Sequence, residues 1–357
     1  MGLENITNAI HAWLYDTFSP SVALLFEFVL VAICIIGLFS LLGLVLIMME
    51  RKVSAWMQVR LGPNRVGPKG MFQTVADTLK LMIKEGLTPD GADKFLFNLA
   101  PFIVMIVSMV LMAPLMFAKG FQIWDINIGI LFFASVSSVS VIGILMAGWA
   151  SNNKYSLLGA MRSGAQIVSY ELSAGLAILT IIVFTGSLRI SDIVASQQNG
   201  WWIFKGHIPA IIAFVIFLIA VTAETNRAPF DMAEAESELT AGFHTEYSGM
   251  KFALFFLAEY VNIFIVCAIG ATLFLGGWMP LHIARLHGFN HIMDYIPSSV
   301  WFFGKTFFLI FVIMWFRWTF PRMRVDQLLN LEWKYLLPIS MFNLLLATVI
   351  AISGGHF

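Results

Sequence analysis

Charged residues are scarce in this chain of 357 residues. Lysine, arginine, aspartate and glutamate together make up 12% of it, about half of what a soluble domain carries. Hydrophobic residues make up 59%, and the mean hydropathy is +0.84. This composition argues against a soluble globular protein and predicts an integral membrane protein.

Cysteine is almost absent, and its two copies are far apart. Cys34 and Cys267 both lie in apolar segments and belong to no Cys-x-x-Cys pair. Two isolated thiols cannot hold an iron–sulfur cluster or a structural zinc ion. The chain also lacks the glycine-rich fingerprint that binds a dinucleotide. We therefore expect no covalently bound cofactor and no ability to handle electrons alone.

Long apolar runs are abundant. A run of about 20 apolar residues is long enough to cross a bilayer as a helix. Eight segments meet this length, at 22–48, 96–117, 127–149, 161–185, 208–224, 251–275, 300–320 and 335–353. We predict an all-α integral membrane protein, a bundle of about eight transmembrane helices that forms a single membrane domain over 1–357.

The lysines and arginines are distributed unevenly between the two sides that these spans define. Sixteen of the 21 lie in or beside the loops that follow the odd-numbered spans, and five lie on the other side. The positive-inside rule places the base-rich side in the cytoplasm or its organellar equivalent. Both termini are therefore predicted on the outer side, with loops 49–95 and 225–250 on the inner side.

The first inner loop contains a predicted amphipathic helix. Gly-Pro pairs in GPNRVGPKG (62–70) favour irregular backbone, and apolar residues then recur at helical spacing over 72–83. Gln73, Asp77, Lys80 and Lys84 gather on one flank of this helix. Two interpretations stay open, an interfacial helix with a solvated polar face and a helix whose polar flank faces a cavity within the protein.

Three glutamates are predicted at positions where a charge is costly. Glu171 lies nine residues past Arg162, and Glu224 closes the fifth span. Glu259 lies eight residues past Lys251. A carboxylate near the middle of the bilayer costs roughly 3 kcal/mol on insertion scales, and a buried carboxyl group can exchange protons near neutral pH. The three acids could form a proton-exchanging string, or they could be structural groups that join helices.

The second inner loop contains a dense acidic run, AETNRAPFDMAEAESEL, at 223–239. It holds five carboxylates and a single arginine. If the residues from 231 onward are helical, Asp231, Glu234 and Glu238 share one face, and Glu236 points elsewhere. Two interpretations stay open, a solvated acidic loop and a charged chamber in which the acids pair with bases of the inner side, namely Arg51, Arg60 or the cluster FRWTFPRMR at 316–324.

Five motifs in order make the chain resemble a known family. They are ERKVSAWMQVRLGPNRVGPKG, ADTLKLMIKE, SNNKYSLLGAMRSGAQIVSYE, AETNRAPFDMAEAESELTAGFHTEY and RMRVDQLLNLEWKYLLP, from about Glu50 to Pro338. The chain is similar to the H subunit of respiratory complex I, the membrane subunit of proton-pumping NADH:quinone oxidoreductase. The resemblance implies an eight-helix subunit at the junction with the hydrophilic arm, where it forms most of the quinone channel and couples quinone reduction to proton translocation.

The resemblance also implies roles for individual residues. One set matches the quinone channel, a second matches a proton relay towards the antiporter-like subunits, and a third matches the charged hinge of a coupling loop. The channel set is Arg51, Arg60, Asp77, Glu234, Glu236 and Glu238; the relay set is Glu171, Glu224 and Glu259; the hinge set is Arg227 and Asp231. Glu332 departs from the family pattern, because relatives usually carry glycine or an apolar residue before Trp-Lys.

The resemblance implies partners that supply what the chain lacks. Quinone is the expected substrate, and FMN and iron–sulfur clusters are expected in partner subunits, with the terminal cluster in the hydrophilic arm. Small membrane subunits, antiporter-like subunits and lipid are also expected partners, and nucleic acid is not. A bacterial inner membrane is the expected location. Two alternatives stay open, the membrane subunit of an energy-converting hydrogenase and a stand-alone ion transporter, although no internal repeat supports a transporter.

The distribution of bases gives a testable prediction about orientation. After Cys34→Ser and Cys267→Ala, a single cysteine at Ala235 should react with an impermeant maleimide only from the inner face. Labelling would be compared between intact cells and inverted vesicles. Gln198→Cys, in a predicted outer loop, is the matched control and should react only from the outer face. Labelling at Ala235 in intact cells would contradict the predicted topology.

Overall fold

The computed structural model describes residues 3–198, 200–232, 239–282 and 287–353. Within these ranges, eight helices are long and apolar enough to cross a membrane. They are Pro20–Met57, Lys94–Leu111, Gly129–Ala150, Lys154–Thr185, His207–Glu224, Gly249–Phe274, Ser298–Thr319 and Val325–Ile352, and they are numbered here as spans one to eight. The predicted all-α membrane bundle is confirmed.

Span six forms the centre of the bundle. It packs against spans one, two, five and seven. In its most apolar stretch of 18 residues, 61% of the residues are buried, whereas 22% are buried in the corresponding stretches of spans one and eight. Span four packs against spans three, five and eight. The end of the bundle that joins loops 49–95 and 225–250 is called the base-rich end below, and the opposite end is called the far end.

Helix ends follow signals in the sequence. The carboxylate of Asp93 accepts hydrogen bonds from two backbone N–H groups in the first turn of span two and so caps it. Asn153 caps span four through the N–H of Tyr155. Gly186 ends span four in a left-handed conformation with a φ of 68°, as glycine commonly does after a helix. Local chemistry therefore determines where these spans begin and end.

Three spans are longer at the base-rich end than hydropathy predicts. The apolar pattern marks the part of a helix that lies in hydrocarbon, and polar turns continue the helix beyond it. The additional helical residues are 49–57, 154–160 and 325–334. Glu50 and Arg51 are therefore helical residues of span one rather than loop residues.

Span two ends earlier than predicted. The predicted range 96–117 is wrong at its end, because the helix stops at Leu111. Pro114 has no backbone N–H and cannot continue a helix. Met116–Ala118 then pairs with Phe121–Gln122 as a short antiparallel hairpin. A short apolar run does not by itself distinguish a strand from a helix, which explains the error.

Shorter helices complete the described part of the chain. The predicted helix of the first inner loop is confirmed as Gln73–Ile83, after an irregular segment with a 3₁₀ turn at Pro68–Gly70. Span eight includes a π-helical turn at Glu332–Leu336. Hydropathy does not predict the remaining short helices, which are Leu3–Thr17, Ile190–Ala195, Trp202–Lys205, Gly242–His244 (3₁₀) and His287–Asp294.

A buried lysine joins spans six and seven at the far end. Nζ of Lys305 donates to the carbonyl oxygens of Leu275, Gly277 and Met279, at distances of 2.5, 2.9 and 2.5 Å. The ammonium group also lies 4.4 Å from the ring centre of Trp201. The three N–H donors of the ammonium group thus match three carbonyls that follow the last turn of span six.

Replacing Lys305 by methionine should destabilise the far end of the bundle. The change keeps most of the side-chain length but leaves three carbonyls without their donor, at a cost of roughly 3 kcal/mol. The melting temperature of the detergent-solubilised protein measures the effect. Lys119→Met, at an exposed position on the same side, is the matched control and should change the melting temperature little. Equal melting temperatures in the two variants would contradict the prediction.

Candidate functional site

A buried ion cluster lies at the base-rich end of spans one, five and seven. Arg227 follows span five and is 5% exposed, and its Nη1 donates to Oε1 of Glu50 at 3.2 Å. Arg317 of span seven donates to the same Glu50 oxygen. One carboxylate therefore contacts two guanidinium groups, and a further negative charge is needed to balance them.

Glu259 of span six supplies that charge. Its Oε1 lies 3.2 Å from Nη2 of Arg227, and the Arg227 guanidinium lies 4.4 Å from the ring centre of Tyr260. A planar guanidinium group can contact two carboxylates and an aromatic face at the same time. The structure therefore brings a predicted hinge residue, Arg227, into contact with a predicted relay acid, Glu259.

A glutamine of span four holds the turn that follows span five. Span five ends at Glu224, and Nε2 of Gln166 donates to the carbonyl oxygens of Ala223 and Phe230 at 2.6 and 2.7 Å. Asn226 adopts a φ of 49°, in the left-handed region where asparagine is enriched. This turn places the arginine that follows it inside the bundle.

Asp231, the second predicted hinge residue, is also buried. Nη2 of Arg322, in the segment after span seven, donates to Oδ2 of Asp231 at 3.1 Å. The backbone N–H of Met323 donates to the carbonyl oxygen of Pro229 at 3.1 Å. An acid of the loop is thus paired with an arginine of the base-rich side, which is the arrangement expected of a charged chamber.

Two of the three predicted relay acids, Glu224 and Glu259, line small polar cavities. One cavity of about 40 Å³ is lined by Glu224, Glu259 and Asn262 among others. A second, of about 30 Å³, is lined by Glu224, Asn262 and Ser137 among others. Volumes of this size hold one or two water molecules. Oδ1 of Asn262 is buried and has no hydrogen-bond partner among the described residues, which leaves it able to bind such a water.

Glu171 approaches this region from span four. Ser138 of span three donates a hydrogen bond to Oε1 of Glu171. The charge of Glu171 also interacts with that of Glu224. The three relay acids therefore form one neighbourhood, which their positions in the sequence alone could not establish.

The first inner loop contributes a separate ion pair. Arg51 of span one donates to Asp77, and Nε2 of Gln73 donates to the other carboxylate oxygen of Asp77 at 3.2 Å. Partial burial would raise the pKa of Asp77, but hydrogen bonds from Arg51 and Gln73 and the charges of Arg51 and Lys80 hold it below its usual value. Gln73 and Asp77 on the polar flank of helix Gln73–Ile83 thus face the protein, whereas Lys80 and Lys84 of the same flank are exposed.

The apolar face of the same helix is exposed. Phe72, Leu79, Met82 and Ile83 are each more than half exposed. A patch of this kind marks a contact with lipid or with another protein. Arg60, also predicted to line the channel, is exposed in the irregular segment between span one and this helix.

Three predicted channel residues, Glu234, Glu236 and Glu238, lie outside the described residues, as does most of the helix predicted there. The flanking residues Met232 and Leu239 are both buried. The chain therefore enters and leaves this acidic segment at positions packed within the protein.

Sequence reasoning assigns no role to Glu50 or Gln166, and it considers Arg317 only as part of the basic cluster 316–324. The available signal was a charged or amide side chain near the base-rich end of an apolar span, where burial demands a partner. His244, in the turn before span six, is also missed. Burial lowers the pKa of His244 to about 4, so its ring is neutral at physiological pH.

Comparison with known proteins identifies the family. The NADH dehydrogenase family matches residues 29–348. The chain belongs to this family. The H subunit of NADH-quinone oxidoreductase from Bacteroides fragilis is 58% identical over 352 residues, which cover 99% of this chain and 98% of the relative. The corresponding proteins of Phocaeicola vulgatus (56% identical, with the same coverage) and Carboxydothermus hydrogenoformans (46% identical, 95% and 93% covered) are further relatives with the same name.

The resemblance to the H subunit of respiratory complex I is therefore confirmed. The chain is a multi-pass membrane subunit of the NADH-quinone oxidoreductase enzyme complex. Within the described residues, no three histidine, cysteine, aspartate or glutamate side chains gather in a way that could hold a metal ion.

Breaking the ion cluster should destabilise this member of the NADH dehydrogenase family. Glu50→Gln removes the carboxylate between Arg227 and Arg317, and leaving buried charge unbalanced costs about 3 kcal/mol. Adding Arg317→Gln should recover part of that loss, because it removes one excess charge. The melting temperature of the solubilised complex measures both effects.

The matched control lies at the far end. Asp125→Asn breaks an exposed pair with Arg189, and such pairs contribute no more than about 1 kcal/mol. If Glu50→Gln lowers the melting temperature no more than Asp125→Asn does, the cluster does not stabilise the bundle.

Proposed function

We propose that this subunit forms most of the quinone channel at the junction with the hydrophilic arm and couples quinone reduction to proton translocation. The observation that carries the proposal is the 3.2 Å contact between Arg227 and Glu259. This contact joins the loop that we assign to the channel to the acids that we assign to the relay. A change of charge on one side therefore acts on the other through a single guanidinium group.

The channel side offers a quinone both polar and apolar surface. Arg51 of span one forms an ion pair with Asp77 of helix Gln73–Ile83, and the apolar face of this helix is exposed. A quinone has carbonyl groups in its ring, which suit arginine N–H donors, and an apolar tail, which suits an apolar surface. The rest of the proposed lining consists of Arg60, Glu234, Glu236 and Glu238.

Reduction of a quinone to a quinol takes two electrons and two protons. In our proposal the electrons come from FMN through iron–sulfur clusters in partner subunits, the terminal cluster lying in the hydrophilic arm. This chain contributes binding, orientation and electrostatics. Negative charge that develops on the quinone before protonation acts on the acids and bases of the channel.

The proposed relay leads from the ion cluster into the membrane. Glu259 contacts Arg227 and lines a polar cavity together with Glu224. Glu171 is the next acid of the proposed relay, because its charge interacts with that of Glu224. Water in the cavities would bridge these carboxyl groups. When charge in the channel changes, the hinge residues Arg227 and Asp231 change their pairing, and the proton affinity of Glu259 changes as a consequence.

The proposal includes partners and location. Antiporter-like subunits and small membrane subunits continue the proton path, lipid covers the remaining apolar surface, and nucleic acid has no part. We place the protein in a bacterial inner membrane with both termini on the outer side. The relatives are named as subunits of a quinone oxidoreductase, which favours this function over an energy-converting hydrogenase or a stand-alone ion transporter.

Neutral variants of the relay acids test the coupling. Glu171→Gln, Glu224→Gln and Glu259→Gln keep the shape of the side chain and remove its titratable group. In vesicles with the assembled complex, each variant should lower quinone reduction and proton pumping at least about tenfold. NADH oxidation by an artificial acceptor upstream should stay normal. Glu27→Gln, an acid that contacts His11 at the far end, is the matched control.

Two outcomes would contradict the proposal separately. Normal quinone reduction and pumping in all three variants would reduce the relay acids to structural residues. The channel is tested by a photoreactive quinone analogue, which should label residues within 49–95 or 223–247. Labelling confined to other subunits would contradict the channel assignment and leave the relay assignment standing.

A further inference from the structure

A further carboxyl group is buried in the base-rich end of span eight, apart from the relay acids. Glu332 begins the π-helical turn Glu332–Leu336 of span eight and is 0% exposed. The next three residues, Trp333, Lys334 and Tyr335, are exposed. A π-helical turn inserts an extra residue into a helix and is frequently found at functional sites. The turn thus carries one inward-facing acid.

The carboxyl group of Glu332 faces span four. Its Oε2 lies 3.1 Å from Oγ of Ser173, and the same Oγ lies 3.1 Å from the carbonyl oxygen of Tyr170. The Tyr170 hydroxyl donates to the carbonyl oxygen of Leu328, one turn before Glu332. The second carboxyl oxygen, Oε1, is buried and has no hydrogen-bond partner among the described residues. Glu332 is therefore enclosed by few polar groups.

Among the described residues, no positively charged side chain pairs with this carboxyl group. The ion pairs among the described residues do not include Glu332, and Lys334 of the same turn is exposed. Span four packs on the turn and presents Tyr170 and Ser173 to it. Glu171 of the same span is bonded instead to Ser138 of span three. An ionised carboxylate is strongly unfavourable in such surroundings, and protonation removes the penalty.

The number of hydrogens that can form hydrogen bonds around Glu332 also favours the protonated carboxyl group. Ser173 has one hydroxyl hydrogen but two oxygen neighbours at 3.1 Å, the Tyr170 carbonyl and Oε2 of Glu332. A carbonyl oxygen can only accept. If Glu332 carries a proton, it donates to Ser173 and Ser173 donates to Tyr170, so both contacts are hydrogen bonds. If Glu332 is ionised, one of the two contacts lacks a hydrogen.

We propose that Glu332 is a proton-binding site that stays occupied at neutral pH, so that span eight packs on span four through an uncharged carboxylic acid. The ligand is a single proton exchanged with water, and no electron is transferred. The site is separate from the relay acids, which adjoin Arg227 and the polar cavities. It does not depend on the function proposed above.

Infrared spectroscopy of the assembled complex at neutral pH tests the proposal. Subtracting the spectrum of Glu332→Gln from that of the unaltered protein should reveal the carbonyl band of a protonated carboxylic acid, which shifts on exchange into D₂O. Asp326→Asn, an exposed acid of the same span, is the matched control and should remove carboxylate bands. Ser173→Ala should shift the frequency of the protonated-acid band, because the hydrogen-bond acceptor of Glu332 is lost.

The outcomes are decisive in either direction. If Glu332→Gln removes carboxylate bands, as the control does, the site is ionised and the proposal is wrong. If that variant does not assemble, Ser173→Ala decides in a chain that retains Glu332. A shift in the protonated-acid region then supports the proposal, and an unchanged protonated-acid region overturns it.

Discussion

One buried guanidinium group constrains the base-rich end of the bundle. Arg227 cannot be buried there without negative charge beside it, and Glu50 of span one and Glu259 of span six provide that charge. Arg317 adds span seven to the same cluster through Glu50. Spans one, five, six and seven must therefore meet at one point. The turn after span five must hold a single conformation, which the hydrogen bonds of Gln166 stabilise.

The same arginine lies between two environments. The inner loops lie on one side, and small polar cavities lined by Glu224 and Glu259 lie on the other. Charges interact strongly where the dielectric constant is low and weakly in water. A charge in the loops thus acts on the buried acids most effectively through a group that already contacts one of them. Of the acids of the run 223–239 that the structure describes, Glu224 lines one of these cavities and Asp231 pairs with Arg322.

The spans could be predicted from the sequence, because a bilayer demands about 20 apolar residues for each crossing helix. The depth of Glu171 and Glu259 follows from the same apolar runs. The pairing of charges could not be predicted, since Glu50 and Arg317 are 267 residues apart and local sequence does not show which helices are neighbours. Pro114 is a local signal that span two ends before it, but the apolar run continues past this residue and predicts a longer helix. Side-chain to backbone contacts such as those of Gln166 also require the folded arrangement to be known.

Three buried groups of this chain balance their polarity in three different ways. Arg227 is balanced by carboxylates, Lys305 by backbone carbonyls, and Glu332 lies against a serine hydroxyl without any counter-charge. Carbonyls do not titrate, so the surroundings of Lys305 stay constant when protons move. Carboxylates do titrate, and the balance around Arg227 therefore changes whenever one of its partners gains or loses a proton. Glu332 pairs with no charged side chain in the part of the chain that the structure describes, so the gain or loss of a proton there is not passed on through an ion pair. Of the three, the arrangement around Arg227 alone suits a coupling element.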